Sequence, residues 1–567
     1  MLESVADRRA ATLERVPHWT PRCLHMLLDE AAREFGARPY VVTDDATQSY
    51  SDIAARSKAV AGGLLACGVK PGDHVAVIMA NFAEFVVLKY AISRVGAVCV
   101  PINFLNRRDE IGYVLTQSDA AYLVTMDRFR GLDYLTALDE LAPGWDVQGG
   151  GSDFPQLRQV IVMPTGDGPS ASDATLFSAL ESDHPPFDGI SDPDPQSVSD
   201  IIYTSGTTGS PKGVLMTHEM LLRAAFGSVY ARAFDDGWRV TFSLPMYHVY
   251  GYVEGMLTVP FVGGVIVPQL AFDPVATLDA IDRHKADDVL LVPTMTVALL
   301  DVLRKAPRAL SSLRAVISSG QRSPAWIWED IDRLLTPQEV TTGYGMTEVT
   351  ATMAMTRPED PKSRRTSTNG RMRDVGPAGD PATGRLTEFR ITDPDTGKAL
   401  PDGEVGEIMA RGLCVTAGYY NKPDETKAAF DADGWLHTGD LGKFDGDGYM
   451  LLVGRLKETY RCGGEQVMPT EIEDLLVTHP SVLQAHVVPV PDDRMGETGA
   501  AFVVLRDAPA VTPDALTAFC MDRLARFKVP KYMLPISADD LPTTPSGRAR
   551  KFLLSKRAIA DLGLSEQ

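Results

Sequence analysis

Residues 201–213 read Ile201-Ile202-Tyr203-Thr204-Ser205-Gly206-Thr207-Thr208-Gly209-Ser210-Pro211-Lys212-Gly213. Ile201, Ile202 and Tyr203 suit the end of a buried strand, and residues 214–231 carry a helical apolar period. Strand, glycine-rich loop and helix in that order predict a phosphate cradle, in which backbone N–H groups face anionic oxygens. Glycine lets the backbone approach closely, hydroxyls donate hydrogen bonds, and the lysine adds a point charge. The stretch is not a Walker A loop: Pro211 precedes the lysine, and Gly213 follows it where that loop has Ser or Thr. Five hydroxyls, three glycines and a lysine within residues 204–213 exceed what a surface turn requires.

Outward from this loop, the upstream sequence alternates between helix and strand. Residues 23–35, 50–67, 82–95 and 109–118 have helical periods, and 40–43, 74–79, 97–101 and 121–125 read as short buried strands. That alternation predicts a parallel α/β sheet. A second α/β run covers 239–340, and short strands with Gly and Asp turns make 385–449 β-rich. From residue 456 a smaller α+β unit follows, with helices at 470–477 and 513–524 and strands at 485–491 and 500–505. The expected fold class is therefore α/β: a large N-terminal domain of α/β sheet subdomains plus a β-rich subdomain, and a smaller C-terminal α+β domain.

At 567 residues the chain exceeds a single core, and 44% hydrophobic with 23% charged residues is ordinary for a globular protein. A net charge of -20 argues against nucleic acid as a partner but leaves a local nucleotide site open. Cys23, Cys67, Cys99, Cys414, Cys462 and Cys520 are scattered without a C-x-x-C pair, which predicts reduced thiols in a cytoplasmic setting. Residues 1–15 are charged and lack the apolar centre of a signal peptide. The apolar stretch 256–270 is broken by Thr, Pro and Gly and reads as a buried strand with turns, so no membrane span is expected.

Further motifs lie at wide separations. Gly343-Tyr344-Gly345-Met346-Thr347-Glu348 offers a ring to stack on a purine, a hydroxyl for a phosphate and a carboxylate for Mg²⁺ on a glycine-framed turn. Thr438-Gly439-Asp440 ends in an acid suited to ribose hydroxyls. Gly454-Arg455-Leu456-Lys457-Glu458, Gly463-Gly464-Glu465 and Pro469-x-Glu471-Ile472-Glu473 follow, and Pro245-Met246-Tyr247-His248-Val249-Tyr250-Gly251 stands between the loop and the second sheet.

Together and in this order these motifs closely resemble the acyl-adenylate-forming superfamily, in its acyl-CoA synthetase and CoA ligase branch, over about residues 20–555. The resemblance implies domains at 1–455 and 456–567, the second mobile about a hinge near Lys457. It implies two half-reactions: a carboxylate attacks the α-phosphate of ATP to give acyl-AMP, then a thiol attacks the acyl-AMP. By position, Thr204, Ser205, Gly206, Thr207, Thr208, Gly209 and Lys212 hold phosphates, and Tyr344 stacks on adenine beside Ser319, Gly320 and Gln321. Gly343, Gly345 and Met346 frame that site, Thr347 contacts the α-phosphate, and Glu348 holds Mg²⁺ when ATP is used. Asp440 takes the ribose hydroxyls with Arg455 near, His248 sits beside the acyl and phosphate groups, and Gly463 and Gly464 line the thiol tunnel. The implied cofactors are the AMP moiety of ATP or acyl-AMP, CoA and Mg²⁺; a carrier-protein thiol would use a similar tunnel.

One position departs from the pattern. The family's C-terminal loop carries a lysine that enters the site for adenylation, and here Leu541-Pro542-Thr543-Thr544-Pro545-Ser546-Gly547-Arg548 places Arg548 there. A planar guanidinium does not fill the place of a compact ammonium between two anions. The leading reading is a CoA ligase that completes thioester formation from acyl-AMP, supplied by a partner adenylating enzyme, with its own adenylation impaired or lost. The alternatives are a complete ATP-dependent acyl-CoA synthetase and a binding protein for AMP or acyl-AMP without turnover. The segments expected to wall the acid contain no lysine or arginine for a second carboxylate, which favours a largely apolar acid.

Overall fold

The computed structural model describes residues 4–166, 173–187, 193–204, 210–320, 323, 325–373, 375–506, 511–543 and 549–564. Two seven-stranded sheets carry the N-terminal part. One runs, in spatial order, Lys212–Thr217, Val198–Thr204, Val98–Ile102, His74–Ile78, Tyr122–Met126, Gln159–Met163 and Thr175–Leu176. Its pairings are parallel except that Val198–Thr204 and Lys212–Thr217 run antiparallel. The other runs Glu339–Thr341, Ala315–Ser318, Asp288–Leu291, Arg239–Phe242, Val265–Pro268, Pro39–Val42 and Thr47–Ser49. Strands such as Val98–Ile102 and Asp288–Leu291 are buried at every position, as expected where a sheet is covered on both faces.

The antiparallel pair corrects one expectation. Residues 214–217 are not the start of a helix: they continue the strand Lys212–Thr217, and Thr204 pairs with Lys212 across the turn. The helix begins later, at His218–Arg232, where Thr217 caps it by accepting a hydrogen bond from the Met220 N–H at 3.2 Å. Val214, Leu215 and Met216 fit a half-buried strand as well as a helix, and a short apolar run does not distinguish the two. The glycine-rich loop therefore joins two strands rather than a strand and a helix.

The second α/β run is as expected, with helices Pro274–Arg283 and Pro293–Lys305 between its strands. A four-stranded antiparallel sheet, Thr387–Thr392, Gly406–Gly412, Leu436–Phe444 and Met450–Arg455, forms the β-rich part. The C-terminal domain pairs Val482–Asp492 with Gly496–Leu505 and adds Tyr532–Pro535, packed by helices Pro469–Leu476, Pro513–Met521 and Lys551–Asp561. Buried apolar side chains from Leu24 to Met450 form one large core, while those from Tyr460 onward form two separate smaller ones. Among the described residues no helix is long and apolar enough to cross a membrane.

Buried charges tie the N-terminal sheets together. Lys89 pairs with Asp200 on the strand that leads into the glycine-rich loop, and Arg373 pairs with Glu254 at 2.9 Å. Both pairs are buried, so each charge depends on its partner.

Candidate functional site

The hairpin of Gly343–Met346 and Ala351–Met355 is the frame of the site. A Cβ at Gly343 would lie 2.6 Å from the Ala354 carbonyl oxygen, and one at Gly345 only 1.7 Å from that of Ala351. No side chain fits at either position, so the strands close tightly around Tyr344. The sequence suggested a turn; the structure has a strand, followed by a 3-10 turn at Thr347–Val349. Ser319 holds this strand by donating to the Gly343 carbonyl at 2.8 Å, and Gly320 leaves its strand with φ +98°. Gln321 lies outside the described residues.

The Tyr344 hydroxyl donates to Asp440 Oδ2 at 2.8 Å. Asp440 and Arg455 are directly opposed on neighbouring antiparallel strands, and Arg455 Nε lies 2.8 Å from Asp440 Oδ1. Thr438 fixes the turn before the aspartate, accepting from the Asp440 N–H at 3.1 Å. Burial and then the Asp440 charge push the Tyr344 phenol well above its ordinary value, so it remains a protonated donor. A hydrogen bond and an ion pair thus hold ring, carboxylate and guanidinium in one set.

A second set lies on the side of the glycine-rich loop. The Lys212 ammonium sits 4.5 Å from the centre of the Tyr419 ring, and the Tyr419 hydroxyl donates to Glu348 Oε1 at 3.0 Å. The Thr416 N–H holds the Glu348 carbonyl at 2.9 Å. Glu348 and Thr347 are both buried. Burial raises the Glu348 carboxyl above its ordinary value, against the pull of the Tyr419 bond and of the Arg455 and Lys212 charges. Tyr419 was missed in the sequence, where it reads as one aromatic in a loop 71 positions from its partner. Thr204 is described and partly buried; Ser205, Gly206, Thr207, Thr208 and Gly209 lie outside the described residues.

His248 begins a short helical turn, its Nδ1 accepting from the Tyr250 N–H at 3.3 Å. Burial brings its pKa down to about 4, so the ring is neutral at pH 7. Asn81, also missed, positions this segment: its amide nitrogen donates to the carbonyls of Leu244 at 3.0 Å and Gln269 at 3.1 Å, and its oxygen accepts from the Met246 N–H at 2.9 Å. Tyr250 donates to the Leu291 carbonyl at 3.0 Å.

Glu254 connects this segment to the hairpin. Its carboxylate accepts from the Thr352 N–H at 3.1 Å, from Arg373 at 2.9 Å and from the Ser228 hydroxyl. A lone glutamate at the start of an apolar run was the available signal; a fully buried carboxylate implies an obligatory partner.

A cleft of about 240 Å³ lies between the Tyr344, Asp440 and Arg455 set and the C-terminal domain. Gly320, Tyr344, Asp440 and Arg455 line one wall, and His486 and Lys551 the other. Lys551 is held by Glu473 at 2.8 Å and Glu458 at 2.9 Å. Burial pulls its pKa down, but the two carboxylates outweigh this and leave it above the ordinary lysine value. His248, Thr347, Glu348 and Lys212 do not line this cleft. Gly463 and Gly464 sit on an exposed hairpin turn with φ +61° and +90°, away from its lining. Lys457 is exposed in the 3-10 turn Leu456–Glu458. Arg548 lies outside the described residues.

Comparison with known proteins gives this geometry its context. The AMP-binding enzyme family matches residues 28–420, and the AMP-binding enzyme C-terminal domain matches 471–548. The putative acyl-CoA synthetase YngI of Bacillus subtilis (strain 168) is 34% identical, over 95% of this chain and 97% of its own length. The mitochondrial medium-chain acyl-CoA ligase ACSF2 of Danio rerio is 31% identical, over 92% of this chain and 86% of its own. The crystal structure of ATP-bound MatB from Rhodopseudomonas palustris superposes with a TM-score of 0.80 at 27% identity, covering 94% of this chain and 99% of that one. The chain therefore belongs to the AMP-binding enzyme family, as an acid–thiol ligase of its acyl-CoA synthetase branch.

Proposed function

We propose that this ligase is a complete ATP-dependent acyl-CoA synthetase acting on a largely apolar carboxylic acid. The observation that carries this reading is the set of Tyr344, Asp440 and Arg455, which faces a cleft shared with the C-terminal domain. In the first step an acid oxygen attacks the α-phosphorus of ATP, and pyrophosphate leaves with the electrons of the broken P–O bond. In the second the CoA sulfur, having lost its proton, attacks the acyl carbon, and AMP leaves. Asp440 takes the ribose hydroxyls, Tyr344 lies against the adenine, and Thr204 to Lys212 receive the phosphates. Neutral His248 offers an imidazole to the reacting carboxylate without adding charge.

Glu348 gives one oxygen to Tyr419 and keeps the other for Mg²⁺. A single buried carboxylate completed by substrate phosphates and water suits this hard cation, which seldom takes an all-protein cage. When bound, Mg²⁺ neutralises phosphate charge. Between the steps the C-terminal domain, residues 456–567, turns about Lys457 and brings Gly463 and Gly464 to the thiol path; the separate cores on either side of residues 450–460 support that division.

A second reading rests on Arg548, which stands where the family has lysine. In it the chain only completes the thiol step, on acyl-AMP made by a partner enzyme. Lys551 does not readily replace the missing ammonium, because Glu458 and Glu473 already hold it. One pair of assays decides. Acid, ATP, Mg²⁺ and CoA in one tube, and synthetic acyl-AMP with CoA in another, both yield thioester on the first reading. Product in the second tube alone establishes the second reading, and product in neither across a panel of apolar acids overturns both.

A further inference from the structure

Behind the strand Met450–Arg455 lies a second cavity, of about 250 Å³, which the two half-reactions do not use. It shares Asn369, Leu452 and Val453 with the catalytic cleft, so the two spaces adjoin across this strand. Its lining sets polar and cationic residues, Ser323, Thr342, Arg365, Asn369 and Lys443, among apolar ones such as Trp328 and Leu451. Thr366 and Ser367, which are exposed, mark its mouth.

Four donors here are unspent among the described residues. The Ser323 hydroxyl and Arg365 Nε are buried without a hydrogen-bond partner. Lys443, partly buried on the strand Leu436–Phe444, has no carboxylate partner. Asn369 uses its amide oxygen on the Leu452 N–H at 2.8 Å, which leaves its amide nitrogen to donate. Arg365 is anchored by Asp332 through one terminal nitrogen only. Leaving buried donors unpaired is costly, so a built cavity that keeps two is a site awaiting acceptors. The donors include a fork and a point charge, and no acid lines the cavity, although the chain as a whole carries a net charge of -20.

We propose that this cavity is a second anion site, taking the phosphoryl group of a small molecule while the catalytic cleft holds its nucleotide. Its volume is below the usual range for drug-sized ligands, about 300–1,000 Å³, and fits a phosphoryl group with a small attachment. Because Met450–Arg455 forms the shared wall and ends at Arg455, an occupant stiffens the strand that carries the Asp440 partner. The source is either a free phosphate or a phosphorylated sugar, such as the 3′-phosphate end of CoA. The inference does not depend on which half-reactions the enzyme performs.

The test is calorimetric titration of the full chain, first saturated with Mg²⁺ and a non-hydrolysable ATP analogue so that the catalytic cleft is filled. Failure of the analogue to bind counts against the proposed function and is seen separately. Inorganic phosphate and adenosine 3′,5′-bisphosphate are then titrated in turn. Binding of inorganic phosphate identifies a free anion as the ligand, and binding of the bisphosphate alone identifies a phosphorylated nucleoside. Lys443→Gln is expected to weaken the binding seen by about tenfold, the loss of one charge-assisted hydrogen bond. Ser323→Ala removes one hydroxyl with little change in shape and is expected to weaken it several-fold with an unchanged melting temperature. No heat from either probe at millimolar concentration, or both variants binding as the parent does, overturns the proposal.

Discussion

Asp440 and Arg455 face each other across an antiparallel strand pair, and the same carboxylate receives the Tyr344 hydroxyl. The aspartate is therefore fixed from two sides before any ligand arrives. Asp440→Asn keeps the shape but removes the charge that orients Arg455 and accepts from hydroxyls. A charge-assisted hydrogen bond contributes about 1.5–3 kcal/mol, so kcat/KM for ATP is expected to fall about 10- to 100-fold. Steady-state kinetics with ATP varied measures this, and an unchanged value removes Asp440 from the nucleotide site.

Tyr419 places Glu348 without lining the cleft. Tyr419→Phe deletes the hydroxyl and leaves the ring under Lys212. The expected result is a several-fold higher Mg²⁺ requirement for pyrophosphate release, with the reaction of pre-made acyl-AMP unaffected. Equal losses in both reactions mean that Tyr419 is structural.

Glu254→Ala strips Arg373, Ser228 and the Thr352 N–H of their shared acceptor in a fully buried place. Breaking such a pair from one side costs about 3–5 kcal/mol, read as a lower urea midpoint. Arg373→Met in the same chain is expected to recover part of the loss, because it removes the stranded cation. Additive losses contradict the coupling.

Three histidines with lowered pKa values make stability depend on pH. Burial holds His248 and His25 at about 4 and His218 at about 3, each below the ordinary 6.5; Arg94 adds to the effect at His25, and His25 and then Lys89 at His218. The unfolded chain therefore binds protons that the folded chain refuses. Their contribution is fully present above about pH 6.5 and is lost as pH falls toward 4 for His248 and His25 and toward 3 for His218. Urea midpoints at pH 7.5, 6 and 5 are expected to fall in that order, and His218→Asn is expected to flatten the decline if the variant folds. A flat profile from 7.5 to 5 contradicts it.

Arg548→Lys is expected to raise ATP–pyrophosphate exchange while leaving the acyl-AMP reaction within twofold, about 0.4 kcal/mol. If exchange is already fast in the parent and falls in the variant, the arginine is adapted to adenylation in this chain.

Much of the fold was legible because its signals are local. Alternating apolar runs and turn residues located most central strands of both large sheets but not the outer Gln159–Met163, Thr175–Leu176 and Thr47–Ser49, and the change of character near residue 385 marked the antiparallel part. The misreading at 214–217 shows the limit, since four apolar or β-branched residues suit either period and only pairing with Val198–Thr204 decides. At the candidate site, the Tyr344 and Asp440 motifs were legible as contiguous stretches, and the structure joins them by a hydrogen bond. Tyr419, Asn81 and Glu254 were not, because each acts on a residue far along the chain, through a contact that exists only after folding.

The closed hairpin has a bearing on how such enzymes diverge. At Gly343 and Gly345 the surface beside Tyr344 is bare backbone, with no space for a side chain of any kind. Mutation has nothing to vary there, so sterics lock the backbone beside Tyr344. Variation must instead arise at cleft positions that carry a side chain, such as Val297. The architecture channels innovation toward the rest of the cleft and holds the hairpin constant.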